Sequence, residues 1–147
     1  MTECSFSLPF PPSVNGLFAH GNVGGKVRRF PTKAYKAWRR EAIIRIRSHR
    51  LPQFKEPVVI KLALTPRDAR RRDASNYVKA VEDALVEAGL LADDDQRYVK
   101  STIPYWCEPS RQLEGVVVTI RVAKLELFAA TGRAPVALPD GSFFAIT

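Results

Sequence analysis

Apolar and polar positions alternate along this chain in a way that predicts short strands and two helices. Residues 4–8 alternate weakly and stop at Pro9, Pro11 and Pro12, the pattern of a short strand entering a rigid turn. Residues 13–31 contain Asn15, Gly16, Gly21, Gly24 and Gly25 and predict a long flexible loop ending in Lys26, Arg28 and Arg29. Loops of that length are more often functional than not. Thr32 is placed to cap a helix reaching about Ser48, with Tyr35, Trp38, Ala42 and Ile46 as its apolar stripe. Lys36, Arg39, Arg40 and Arg47 lie largely away from that stripe.

Residues 57–65 are β-branched and apolar enough for a central strand, with Val58, Ile60, Leu62 and Leu64 on one face. Pro66 to Arg72 form a charged connection without apolar periodicity. Residues 76–88 give the cleanest helix, because Tyr77, Val78, Val81, Ala84, Leu85 and Ala88 fall on one continuous stripe and Gly89 stops it. Residues 97–103 and 115–123 predict two more strands; in the second, Val116, Val118, Ile120 and Val122 face one way, Thr119 and Arg121 the other. The order β, α, β, α, β, β predicts a single α+β domain over residues 1–124, a mixed β-sheet with helices packed on it. Each βαβ unit is expected to pair parallel and the last two strands antiparallel, with the strand order left open. Residues 125–147, with Gly132, Pro135, Pro139 and Gly141, read as a C-terminal extension, either disordered or packed on the domain or a partner.

Charge narrows the function. The 147 residues hold 23 Lys and Arg against 15 Asp and Glu, a formal net charge of +8. The surplus is clustered: from Lys26 to Lys55 there are eleven basic residues and one acid, Glu41. A clustered positive field attracts polyanions, which makes nucleic acid the leading partner over a merely soluble basic surface. Cys4 and Cys107 have no second Cys or His close by and read as reduced, half-buried thiols. Met1 to Leu8 carry no charged leader with a long apolar run, and no stretch approaches the roughly 20 apolar residues of a membrane span, so a cytoplasmic protein without membrane contact is expected. His20 and His49 are isolated and read as surface or loop residues.

Against this basic background stand acids on both sides of the second helix: Asp73 before it, Asp83 within it, and Asp93-Asp94-Asp95 after it. Asn76, Lys79 and Asp83 share the face opposite the apolar stripe. One reading is structural: Asp73 or Ser75 caps the helix, Lys79 pairs with Asp83, and the acidic turn is solvated. The other is that these carboxylates gather one or two Mg²⁺ ions for phosphodiester hydrolysis. Carboxylates repel phosphates unless a metal intervenes, so a protein that only binds DNA has no use for them there.

The run RRRDASNYVKAVEDALVEAGLLADDDQ resembles the signature of the RusA family of Holliday junction resolvases: an arginine-rich lead, Asp-x-Asp-Asn, a Lys three residues on, an Asp within the helix and an Asp-Asp pair before a Gln. The opening Leu8-Pro9-Phe10-Pro11-Pro12-Ser13-Val14-Asn15 is similar to that family's first strand and Pro-Pro-Ser-x-Asn turn, so the likeness spans roughly residues 5–123. It implies a metal-dependent endodeoxyribonuclease acting on four-way DNA junctions in recombination and repair, as a homodimer, with Mg²⁺ or its substitute Mn²⁺; family members are often found in prophages. By position it implies Asp73, Asp93 and Asp94 as metal ligands, Asp73, Lys79 and Asp94 as catalytic, and Asn76 beside them. Phosphate contacts are expected from Lys26, Arg28, Arg29, Arg70, Arg71, Arg72, Asn76 and Lys79.

The chain departs from the signature at Ser75, which stands where the second aspartate belongs. Asp95, Asp83 or a water is expected to replace the missing oxygen; otherwise metal affinity falls, or the protein binds junctions without cutting them. A basic RNA-binding or interaction module is the alternative from another class. A 13-residue helix spans about 20 Å, so Asp73 and Asp94 approach only if residues 90–96 fold back over the helix, or a second subunit completes the site.

Overall fold

The computed structural model describes residues 2–123, 135–137 and 143–145. Its elements are β1 (Glu3–Leu8), β2 (Phe18–Val23), β3 (Lys26–Pro31), α1 (Lys33–Ser48), β4 (Val58–Thr65), α2 (Val78–Glu87), β5 (Val99–Trp106) and β6 (Gly115–Val122). Two three-residue strands, β7 (Pro135–Ala137) and β8 (Phe143–Ala145), pair with each other. Beyond that pairing, the expectation for residues 125–147 lies outside the described residues. Among the described residues no helix is long and apolar enough to cross a membrane.

The main sheet has the order β1-β6-β4-β5. β4 and β5 pair in parallel, as a βαβ unit should, while β6 runs antiparallel to both β4 and β1. The expected pairings therefore hold only in part. β1 and β4 are connected through α1 but are separated by β6, and β5 and β6 flank β4 instead of meeting. Both crossovers step across the sheet in the same direction, and a right-handed connection then places both helices on the same face. The result is the expected α+β domain in two layers.

Three rows of side chains cross the helix-facing side: Cys4–Ile120–Ile60–Thr102, Phe6–Val118–Leu62–Pro104 and Leu8–Val116–Leu64–Trp106. The first three members of the last two rows are buried, and α1 covers them with Tyr35, Trp38, Ala42 and Ile46, the stripe read from sequence. α2 adds Ala80, Val81, Ala84 and Leu85, its alanines allowing close approach. Pro104 breaks no pairing because β5 is an edge strand, where a missing N–H is tolerated. Both cysteines are free and half-buried, and burial pushes the Cys4 thiol up to about 11, which keeps it protonated and unreactive.

Local chemistry sets the helix ends. Thr32 Oγ1 accepts from the Tyr35 N–H at 3.2 Å and donates to the Gly16 carbonyl at 2.8 Å, so one hydroxyl starts α1 and ties it to the preceding turn. The Trp38 indole N–H donates to the Pro9 carbonyl at 2.9 Å, anchoring the proline turn on the helix. α2 begins two residues later than its periodicity suggests, because Ala74–Tyr77 form a 3-10 turn in front of it. It ends as expected at Gly89, whose φ of +85° is open to glycine.

Residues 13–31 are not a long loop. After a 3-10 turn at Val14–Gly16 they form the β2–β3 ribbon, closed by Gly24 and Gly25 at φ +61° and +79°. Positive φ at both central residues is the type I′ turn that suits the twist of a hairpin.

Gly115 opens β6 with φ +153°, and a Cβ there would lie 2.8 Å from the Leu8 carbonyl oxygen. Gly115→Ala is expected to lower the free energy of unfolding by about 1–3 kcal/mol through this backbone strain, read from the urea midpoint. Gly16→Ala, whose Cβ would meet nothing closer than 4.0 Å, should stay within about 0.5 kcal/mol of the parent.

Candidate active site

The 90–96 segment folds back over α2, the first of the two routes expected for it. Leu90 and Leu91 are both buried, and their N–H groups donate to the Leu85 carbonyl at 3.0 and 3.3 Å, so the chain reverses under the helix it has just left. The Phe54 N–H fixes the Leu90 carbonyl from outside at 3.0 Å. The return carries Asp93 and Asp94 past the exposed side of α2, and the Asp94 N–H donates to Asp93 Oδ1 at 2.8 Å.

Lys79 is the centre of the resulting cluster. Its Nζ lies 2.9 Å from Asp83 Oδ1 on the next turn of α2 and 3.4 Å from Asp94 Oδ2 across the cleft. The hydrogen bond to Asp83 is the main reason its pKa is raised, with the Asp83 and Asp94 charges adding to it. Lys79 is therefore held as a cation. Lys79, Asp83, Asp93 and Asp94 line one cleft of about 360 Å³ together with Phe18, Tyr35 and Arg39. A larger concavity of about 510 Å³, beside the end of β1 and the 111–117 segment, contains none of these residues.

Asp73 takes a different place. It is exposed, precedes the 3-10 turn, and does not line the cleft. Its side chain makes no capping hydrogen bond; the backbone carbonyl accepts from the Asn76 N–H at 3.1 Å instead. Ser75 is exposed in the same turn, and the Val78 N–H donates to its carbonyl. The purely structural role of a helix cap is thus filled by neither Asp73 nor Ser75. Among the described residues no three Asp, Glu, His or Cys side chains converge into a ready-made metal cage.

The acidic turn divides by what each carboxylate touches. Asp95 is taken up by Arg97, which donates to it at 2.7, 3.0 and 3.2 Å, and these bonds hold its carboxyl down at about 2. Asp95 is therefore engaged as a loop brace. Asp83 faces the cleft.

The basic residues divide similarly. Arg72, expected among the phosphate contacts, is largely shielded and donates to Asp68 Oδ1 at 2.7 Å and to the carbonyls of Asp68 and Arg70 at 3.2 and 3.0 Å. That network lowers the Asp68 pKa and shapes the 66–73 connection. Arg70 and Arg71 stay open to solvent. On the ribbon, Lys26 and Arg28 are exposed, while the Arg29 guanidinium lies 3.7 Å from the centre of the Phe18 ring, which borders the acidic cleft.

Two residues, one on the cleft rim and one beside Asp83, had no distinguishing sequence signal. Arg39 reaches the rim from α1 and pairs with Glu87 at 3.5 Å, but its spacing marks it only as a polar-face residue. Glu82 is half-buried, and burial raises its carboxyl pKa, with the Asp94 charge adding to the rise. It sits between Val81 and Asp83, where helical periodicity reads it as a flank.

The family model for endodeoxyribonuclease RusA matches residues 9–121. The crossover junction endodeoxyribonuclease RusA of Escherichia coli (strain K12) is 35% identical over 109 residues, covering 70% of this chain and 87% of that protein. The protein of the same name from Enterobacteria phage HK97 is 35% identical over 97 residues, covering 65% and 78%. A Shigella sonnei protein of that name is likewise 35% identical over 109 residues.

Because the Lys79 pKa is raised, the stability it draws from Asp83 is fully present below the ordinary lysine value and fades as pH rises through the folded one. Asp83→Asn is expected to lower the Lys79 pKa clearly, and Asp94→Asn by less, since the Asp83 contact is the shorter. Titration of the lysine side-chain NMR signal checks this; equal effects would overturn the order of the two partners.

Proposed function

Because this chain belongs to the RusA family of endodeoxyribonucleases, we propose that it resolves four-way DNA junctions by phosphodiester hydrolysis at the cleft between α2 and the 90–96 turn. The observation that carries this reading is the position of Lys79, a cation held between Asp83 and Asp94. Two carboxylates directed at one positive charge are a poor device for binding a polyanion and a suitable one for a cation-assisted reaction on it.

A divalent metal follows from the family, and we take it to be Mg²⁺, with Mn²⁺ as its substitute. The donors fit: all are hard carboxylate oxygens. An Mg²⁺-like ion keeps several waters and needs only one or two protein carboxylates plus the substrate phosphate, not a closed cage. Asp94 and Asp93 would hold it, with Asp83 replacing the oxygen lost at Ser75, while Asp73, which precedes the 3-10 turn outside the cleft, would reach it through a bound water. Such an ion supplies Lewis acidity toward the phosphate and lowers the cost of ionising water.

The chain's own groups do the rest. Lys79 is unsuited to act as a base, because its carboxylate neighbours keep it protonated; it donates to a phosphate oxygen and offsets the charge that builds there. Arg70 and Arg71, three and two residues before Asp73, and Lys26, Arg28 and Arg29 on the ribbon hold the backbone on either side. Asn76 adds a neutral donor. A homodimer belongs to the same proposal, since paired cuts across a two-fold junction call for two copies of the site.

Ser75 favours a second reading, a junction binder with weakened or lost cleavage. A synthetic four-way junction, with and without Mg²⁺ or Mn²⁺, separates the two. Metal-dependent cutting is expected, and Asp94→Asn should slow it by about a hundredfold or more while junction binding stays equal or tightens. Tight binding without cutting at any metal concentration would leave only the second reading, and loss of binding in Asp94→Asn would make that residue structural.

A further inference from the structure

The row Leu8–Val116–Leu64–Trp106 ends on the outer strand of the sheet, so no further strand covers its last member. Trp106 keeps 37% of its surface exposed, while Trp38, the other tryptophan, is buried. The exposed indole is nonetheless held in place. Phe10 lies nearly parallel to it at 6.3 Å and 14°, Tyr77 meets it edge-on at 5.7 Å, and Phe10 and Tyr77 contact each other at 5.1 Å. Tyr77 closes the 3-10 turn that begins directly after Asp73, so this trio supports the segment entering the site.

Trp106 also lines a groove of about 240 Å³ with Pro66, Pro109 and the three arginines of the 66–73 connection. Arg72 is taken up by Asp68, but the Arg70 side chain is 77% exposed with only a 3.7 Å pairing to Asp68, and Arg71 is exposed. Asp68, the groove's acid, is already bonded to Arg72. The groove thus offers a rigid aromatic surface flanked by two solvent-open guanidinium groups. A protein partner would need an acidic apolar segment to match this. A nucleotide matches it without special pleading, with the base on the ring and phosphates on the arginines. Duplex DNA keeps its base faces stacked, whereas a branch point can release one.

We propose that the Trp106 groove binds an unstacked nucleobase of branched DNA, with Arg70 and Arg71 on its flanking phosphates. The proposal rests on the DNA reading above and adds a base-holding site to it. The groove would mark the branch point by its released base beside the Asp73 segment, whereas phosphate contacts position the backbone without reading a base.

The test uses the full chain with a four-way junction carrying 2-aminopurine at the branch point, a matched duplex, and oligothymidylate. Tryptophan fluorescence is expected to fall on adding the junction or oligothymidylate, since Trp106 is the exposed one of two, and the 2-aminopurine signal should change with it. Trp106→Leu should weaken junction binding about tenfold, the scale of one lost base stack, with duplex binding unchanged. Trp106→Phe, which keeps a ring in the trio and guards against a fold defect, should recover most of the loss. Unchanged junction affinity in Trp106→Leu, or a 2-aminopurine signal that survives it, overturns the groove. Quenching by oligothymidylate without any preference for junction over duplex supports the groove while overturning the resolvase reading. No quenching by either single-stranded or branched DNA overturns the groove, whatever the junction assay shows.

Discussion

Everything at the candidate site depends on burying Leu90 and Leu91 beneath the helix that precedes them. A helix ending in solvent would carry Asp93 and Asp94 away from Lys79, on a vector set by the last turn. Here both leucines enter the common core and their amides close on the Leu85 carbonyl, which forces the reversal. Gly89 makes the reversal conformationally cheap, but the apolar burial drives it, at about 1.5–3 kcal/mol for each large aliphatic side chain removed from water. The carboxylates are thus brought to the ammonium by a hydrophobic contact on the opposite side of the chain. Polar attraction between exposed groups is too weak to impose such a path by itself.

The same economy appears among the charges. Of the acids around α2, Asp95 is neutralised locally by Arg97 and Asp68 by Arg72, while Asp83, Asp93, Asp94 and Glu87 line the cleft. Of the arginines before α2, Arg72 is spent on the loop, and Arg70 and Arg71 remain open. Local pairing therefore sorts a charge-rich stretch into braces and free groups. The cleft gathers four of the acids, with Asp83 and Asp94 sharing Lys79, while the open arginines Arg70 and Arg71 lie outside it.

Most of the scaffold was legible because its burial is one-sided. The stripes of α1 and α2 and the inward row of β4 are periodic, and the structure buries the residues that the periodicity marks. The β2–β3 ribbon escaped notice for the complementary reason. Lys26 to Phe30 are exposed on both faces, so no alternation arises, and Gly24-Gly25 was the one hairpin signal present. Within the site, the Lys79–Asp83 pair was legible from i, i+4 spacing, whereas the helix length left the return of Asp94 as one of two routes and did not mark Lys79 as its partner. The commitments of Arg72 and Asp95 were not, because they are made by irregular backbone whose path no spacing rule describes. The strand order was equally out of reach: inserting β6 between β1 and β4 is a long-range choice, with no local trace in either strand.

Pro104 on β5 has a consequence for assembly. An edge strand normally offers a row of free N–H and C=O groups onto which a second copy can add its own strand. The proline removes a donor from the middle of that row. Tyr105 and Trp106, both partly exposed, crowd the strand's end with rings. Growth of the sheet through this edge is therefore discouraged, and a second copy is turned away from it. The feature that turns away another strand keeps the Trp106 edge of the chain open, Trp106 itself being 37% exposed, to a ligand that pairs with rings and not with backbone.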